Sequence, residues 1–215
     1  LELLVVIAII GILASLLLAA VSNSKRKAQQ IRCVGNLHQL GLGIQNFVAD
    51  NHAYPSPFGS PSSGYPGRWF DQLERDGFGN LTPKTAFFTE GVWRCPSGQW
   101  EGSWGPGNYP VSYSYNTFGV PSPEVWNIDP SLGLAGHFIS ATERGLLAES
   151  EVVNPSEMMA IGESFSGGID FMRTSLAYPP ARSHATSRHQ GRVNVLFCDG
   201  HVESPKLDFV FEDKS

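Results

Sequence analysis

Leu1-Glu2-Leu3-Leu4-Val5-Val6-Ile7-Ala8-Ile9-Ile10-Gly11-Ile12-Leu13-Ala14 opens the chain, and the charge-free stretch that begins at Leu3 runs on to Ser24. As a helix this stretch reaches about 33 Å, which matches the roughly 30 Å hydrocarbon core of a bilayer. A secretory signal peptide stops sooner, after about 7–15 apolar residues, and gives way to a small-residue cleavage site. Here the helical period resumes beyond Lys25-Arg26-Lys27, in an apolar stripe of Ile31, Val34, Leu37, Leu40, Ile44, Phe47 and Val48. The opposite face carries Gln29, Gln30, Arg32, Asn36 and Gln39, as expected of a helix half buried against a core. No proline precedes Pro55. The pattern predicts one continuous helix from residue 1 to about residue 51, some 75 Å long. Gly11, Gly35, Gly41 and Gly43 each cost such a helix up to ~1 kcal/mol relative to Ala, so each marks either a bend or a close approach.

Glu2 is the odd residue of this segment. A carboxylate at the centre of a bilayer costs about 2.5–3.5 kcal/mol, and acids in such positions usually have partners. One reading places it at the membrane surface, where the helix macrodipole favours an acid. The other holds its charge for an amine on another copy of the chain.

Composition separates this helix from the rest of the chain. The 215 residues allow one ordinary domain plus an appendage, and 41% hydrophobic with 16% charged residues exclude wholesale disorder. All 15 prolines and all five tryptophans fall after residue 53. The helix holds four of the chain's 15 basic and two of its 20 acidic residues, so 11 basic and 18 acidic residues remain for residues 53–215. That acidic balance argues against a nucleic-acid partner and suits a solvated surface. Three cysteines are too few for a disulfide-dense scaffold and lack the spacing of a structural zinc site.

Residues 53–215 are predicted to form the head, after a helical part at residues 1–52 whose membrane portion is 1–24. Pro55 to Gly67 and Pro96 to Pro110 are loops. The second contains Trp100 and Trp104, which either bind a sugar or partner or cover a thin core. Val111 to Tyr115, Met158 to Ile161 and Val193 to Cys198 are strand signals. After the last come Asp199-Gly200 and His201-Val202-Glu203, the pattern of a tight hairpin whose two central residues both take positive φ. The fold class is α+β: a long N-terminal helical stalk packed against a small antiparallel sheet, with long irregular loops.

The first 14 residues closely resemble the N-terminal signature of type IV pilins and of type II secretion pseudopilins. In that family a basic leader is cut before a Phe, the Phe is N-methylated, and an acid follows a few positions later. Glu2 matches that acid. The Phe and its neighbours are absent here, so cleavage and methylation are what the remaining signature implies. The resemblance implies that Glu2 pairs with the N-terminal amine of a neighbouring subunit, with Leu3, Val6, Ile10 and Leu13 in the assembly helix. It also implies a prepilin peptidase, and an inner-membrane assembly platform with its ATPase, as partners. Orientation is contested. Lys25-Arg26-Lys27 would retain the head in the cytoplasm by the positive-inside rule, whereas the family's basic leader implies export, from the inner membrane to an extracellular filament.

Arg188-His189-Gln190-Gly191-Arg192-Val193-Asn194-Val195-Leu196-Phe197-Cys198-Asp199-Gly200-His201-Val202 resembles the C-terminal signature of one pilin-like family. Its mark is a His, nine residues, then Asp-Gly, and it is known as the DUF1559 or H-X9-DG prepilin-type group. Cys33 to Leu42, Asp50-Asn51 before Tyr54-Pro55, Trp93-Arg94-Cys95-Pro96 and Ser112 to Asn116 are similar to that family too. Residues 117–150 carry no such likeness.

In an exported head, a Cys33–Cys95 bond would close a 62-residue loop, worth roughly 4 kcal/mol in the chain-entropy model. The alternative is two independent buried thiols. Cys198 is then left as a small buried hydrophobe. His184, His189, Asp199 and His201 form the cluster suited to zinc or another transition metal. Asp199 with Asn194 and backbone carbonyls is the calcium alternative. Against both stands a structural reading, in which Asp199 serves the turn and the His189 ring satisfies buried backbone. Gly162 to Gly167 imitates a nucleophile elbow without its required glycine. No phosphate-binding Gly-rich loop occurs. The expected function is a filament-forming structural subunit rather than an enzyme, with no required cofactor. A minor pseudopilin or anchored surface-binding module ranks second. A metal-dependent enzyme at His189, Asp199 and His201 ranks last.

Overall fold

An uninterrupted run without proline forms an uninterrupted helix. The computed structural model describes residues 2–57, 64, 67–79, 91–98, 112–117, 133–134, 136, 138–140, 143–163 and 188–206. Helix α1 spans Glu2–Asn51. It ends where His52 turns to φ 52°, a left-handed residue in the position usually given to Gly. The His52 N–H still reaches the Val48 carbonyl at 2.8 Å, and the next residues leave as strand β1, Ala53–Tyr54.

The C-terminal half of α1 is one wall of the core. Cys33, Leu37, Leu40, Ile44, Phe47 and Val48 are buried there. The predicted stripe is therefore correct from Leu37 onward but wrong at its start. Ile31 is 62% exposed, while Asn36 and Gln30, assigned to the solvent face, are buried. Asn36 Nδ2 donates to the Arg94 carbonyl at 2.8 Å and to the Tyr113 hydroxyl at 3.3 Å. A buried amide whose protons are accepted costs far less than an unpaired one, so polar residues replace apolar ones where the helix meets the head's first turns.

Against α1 lies a four-stranded antiparallel sheet in the order β2-β6-β7-β8. Its strands are Tyr113–Tyr115, Met159–Glu163, Val195–Phe197 and Val202–Glu203. Two minor pairs flank it. Strand β1 pairs with β5, Leu147–Ala148, and β3, Phe138–Ser140, pairs with β4, Glu143–Arg144. The α+β expectation holds, with more short strands than the sequence announced.

Aromatic residues fill the space between helix and sheet. Helix α2, Trp69–Gln72, continues into a π-helical turn at Leu73–Gly77. Its Trp69 is fully buried and stacks on Tyr115 with centroids 5.2 Å apart and planes 14° apart. Trp93, in a 3-10 turn at Gly91–Trp93, meets the same indole at 5.5 Å. Such residues each bury about 150–250 Å² and can carry a thin core. Gln72 pins the loop after β1: it accepts from Ser56 N–H at 3.0 Å and returns a bond to the Ser56 carbonyl at 2.9 Å.

Two of the helix glycines are close approaches. A Cβ on Gly43 would lie 2.7 Å from Phe78 Cζ, and one on Gly41 2.9 Å from Leu196 Cδ1. Opposite Gly43, a Cβ on Gly77 would lie 2.5 Å from the Gly43 carbonyl oxygen. That contact is backbone on backbone, so no side chain can yield. Gly77→Ala is expected to cost about 1–3 kcal/mol by overpacking, read as a fall of several degrees in the melting temperature of the detergent-solubilised chain. Gly35, with nothing within 4 Å of its Cβ position, should instead gain up to ~1 kcal/mol as Ala. Equal melting temperatures for the two variants would contradict this packing.

Candidate functional site

Residues 3–25 of α1 are packed against none of the described residues of the head. Residues 3–28 are all exposed, and the apolar residues point in every direction: Leu3, Leu4, Val5, Val6, Ile7, Ile9, Ile10 and on to Val21 are each more than half exposed. The helix is long and apolar enough to cross a membrane. Two of its serines bond within the helix. Ser15 Oγ donates to the Ile12 carbonyl at 2.7 Å and Ser22 Oγ to the Ala19 carbonyl at 2.9 Å, as an apolar environment demands. The segment ends at Lys25, Arg26 and Lys27, where charge returns. Leu3, Val6, Ile10 and Leu13 lie along this bare arm. Leu1 and the Glu2 side chain lie outside the described residues.

Where the arm meets the head there is a buried polar cluster. Cys33 of α1 and Cys95 are joined as a disulfide, with Cα atoms 5.2 Å apart. Against it stand Glu163, the last residue of β6, and His189, which precedes β7. The His189 ring and the Glu163 carboxylate are 0% and 2% exposed, with Nε2 2.5 Å from Oε1. Asn194 donates to the same carboxylate twice, from its backbone N–H to Oε2 and from Nδ2 to Oε1, each at 3.2 Å. Cys95 Sγ lies 3.4 Å from His189 Nε2 and 3.6 Å from Glu163 Oε1. His189 Nδ1 and Arg188 Nη1 are buried with no hydrogen-bond partner among the described residues. An open cleft of ≈ 500 Å³ reaches this place, lined by Arg26, Gln29, Ser97, His189 and Gln190 among others.

The backbone that builds this cluster is unusual. His189 and Gln190 both have positive φ, 45° and 60°, a conformation most side chains avoid. The turn closes with Gly191 N–H on the Arg188 carbonyl at 3.0 Å. It turns His189 inward beside Glu163 just before Asn194 enters the sheet.

The other half of the signature sits in the hairpin. Gly200 has φ 92°, but Asp199 is not left-handed. Gly200 N–H reaches the Phe197 carbonyl at 3.0 Å and Phe197 N–H the His201 carbonyl at 2.9 Å. The connection is thus a three-residue loop, a tight turn plus a glycine bulge, rather than the expected two-residue turn with both central residues at positive φ. The extra residue lets Cys198 and Asp199 donate to the Met158 and Pro155 carbonyls at 2.9 and 3.2 Å, prolonging the sheet beyond its strands. Asp199 Oδ1 accepts from His201 N–H at 3.0 Å and lies 2.5 Å from His201 Nδ1. Desolvation works against the charge, yet those bonds and the nearby imidazole hold the Asp199 carboxyl below its usual range.

His189, Asp199 and His201 are therefore not one cluster. His189 is buried beside Glu163, whereas Asp199 and His201 form an exposed pair at the hairpin tip, with Glu203 3.6 Å from the imidazole. Asn194, the calcium alternative, is fully buried and its side chain is spent on Glu163 and Ser204. His184 and the Trp100–Trp104 loop lie outside the described residues, as does most of the Gly162–Gly167 segment. Sequence reasoning does not single out Glu163 and Asn194 as partners of His189. The one signal for them is a lone acid closing the apolar run Met159-Ala160-Ile161-Gly162, since a charge in a buried strand needs a partner. Cys198 is free and buried beside Tyr54, and desolvation pushes its thiol up to about 12. Its burial agrees with the small buried hydrophobe expected at this position.

A 56-residue segment is 39% identical to the type II secretion system core protein G of Escherichia coli strain K12, covering 26% of this chain and 39% of that protein. The match therefore spans well under half of the relative's length. No family model and no solved structure matches the chain.

Proposed function

We propose that the chain is a pilin-like or pseudopilin-like structural subunit that polymerises through α1 into an extracellular helical filament. The observation that carries this is the bare arm, about 26 helical residues exposed on every side and continuous with a folded head. A helix apolar all round is at ease in lipid and equally so in a bundle of identical helices. Leaving the membrane for the filament exchanges lipid for neighbouring arms. Glu2 pairs with a neighbour's N-terminal amine and so avoids an unpaired buried charge. Head-to-tail contacts related by a rotation that does not close give an open filament.

The partial likeness to the secretion core protein G and the N-terminal signature support the same reading. The His189 and Asp199-Gly200 spacing supports membership of the H-X9-DG group as part of this proposal. With that assignment come residence in the inner membrane before assembly, N-terminal processing by a prepilin peptidase, and extraction by an ATP-driven platform. The role is structural rather than catalytic. Material sheared from cells and imaged by electron cryomicroscopy should contain a helical filament with α1 at its core and the acidic heads outside. Recovery of the chain only as isolated molecules in the membrane fraction would overturn polymerisation and leave an anchored surface module.

A further inference from the structure

We infer that, when the Cys33–Cys95 bond is reduced, the two thiolates with Glu163 and His189 form a buried site for a single thiophilic divalent cation of the zinc type. Disulfide and metal are then alternative fastenings of the same joint between stalk and head. All four residues are buried, and one candidate ligand atom from each lies within 4.8 Å of every other. Two thiolates, an imidazole and a carboxylate are the donors such ions take in tetrahedral sites. Metal–ligand bonds of about 2.0–2.3 Å set the edges of that tetrahedron at about 3.3–3.8 Å. The two edges from Cys95 Sγ, to His189 Nε2 at 3.4 Å and to Glu163 Oε1 at 3.6 Å, already have this length. The Nε2–Oε1 pair must open from 2.5 Å, and the sulfurs must part from bonding distance.

The surroundings suit the ion as well. Asn194 holds the carboxylate by two hydrogen bonds, the outer-shell support that orients a ligand. The cleft lined by Gln29, Ser97 and His189 borders the cluster at the His189 turn, although the His189 ring itself is 0% exposed. The chemistry balances. A dithiol supplies two electrons and two protons to the Cys33–Cys95 bond, leaving two thiols and itself becoming a disulfide. The cation then displaces the two thiol protons to solvent. With the disulfide intact, neither sulfur is a thiolate and the site is closed to metal.

The test uses the full chain in detergent, with Co2+ as a spectroscopic stand-in for zinc and a phosphine as reductant, because dithiols chelate the metal. The phosphine takes oxygen from water and leaves two thiols. The reduced protein should bind one cobalt per chain with a thiolate-to-metal charge-transfer band and intense tetrahedral d–d bands. The oxidised protein should bind none. In the reduced wild type, zinc should slow alkylation of Cys33 and Cys95 at least tenfold, a readout that needs no variant. His189→Asn, chosen because Asn tolerates positive φ, and Glu163→Gln should each weaken binding at least tenfold, whereas Cys198→Ala should leave it unchanged. The proposal fails if the reduced wild type binds no cobalt, if the oxidised protein binds equally, or if zinc gives Cys33 and Cys95 no protection.

Discussion

Cells carrying Glu2→Ala should display no filaments while still accumulating a folded, disulfide-closed head. In a filament the arm of each subunit is surrounded by other arms, and an N-terminal amine there has no water to turn to. On the proposed pairing with Glu2, removing the carboxylate leaves that buried charge uncompensated, at a cost of about 3–5 kcal/mol. The cost recurs at every subunit added. With tenfold per 1.4 kcal/mol, the concentration needed for growth rises by roughly a hundred- to several-thousand-fold. The head should not register the change, because its core begins at Cys33, some 30 residues along the helix. Sheared fractions from wild-type and variant cells, compared by electron microscopy and by non-reducing gels of the whole-cell protein, separate assembly from folding. Filaments of normal number and length in the variant would remove Glu2 from the mechanism.

The division between what the sequence discloses and what it hides tracks the range of the forces involved. A 50-residue helix rests on local rules, namely periodicity and the absence of proline, so α1 and its end near residue 51 are legible. The central strands are legible because apolar runs are long enough to repeat. Strands β1, β4 and β5, of two residues each, have no period to read. The phase of the stripe at Ile31 misleads for a different reason. Hydropathy counts Asn36 as a solvent residue, and acceptors 58 and 77 positions away, the Arg94 carbonyl and the Tyr113 hydroxyl, make it a buried one. The Asp199-Gly200 turn can be located from sequence but not typed, since the bulge serves hydrogen bonds to Pro155 and Met158 that lie in another segment.

The buried cluster is the extreme case. Its four corners come from residues 33, 95, 163 and 189, and only the tertiary pairing of β6 with β7 and the packing of α1 on the head bring them together. His189 is visible as half of a signature, but its partner is not. The signature's spacing also suggests proximity between His189 and Asp199. The sheet instead sends one inward and the other to the tip of a hairpin.

That separation predicts very different stabilities for variants at its two ends. Glu163→Ala should lower the melting temperature of the oxidised, detergent-solubilised chain by about 6–20 °C, the equivalent of 3–5 kcal/mol for a chain of this size. The loss is large because one carboxylate satisfies three groups at once. Without it the His189 ring, whose Nδ1 has no partner among the described residues, keeps only the Cys95 sulfur 3.4 Å from Nε2, and Asn194 loses acceptors for its backbone and side-chain N–H groups. Asp199→Ala should cost less than about 1 kcal/mol. Its carboxylate and the His201 ring are 37% and 38% exposed, so water replaces much of what the substitution removes, while Gly200 keeps the turn. Melts of the two variants beside wild type, followed by near-ultraviolet circular dichroism, decide the matter. Equal small shifts would mean that the buried pair adds little beyond the disulfide next to it. A large shift for Asp199→Ala alone would place the structural weight of the signature at the hairpin instead of at His189.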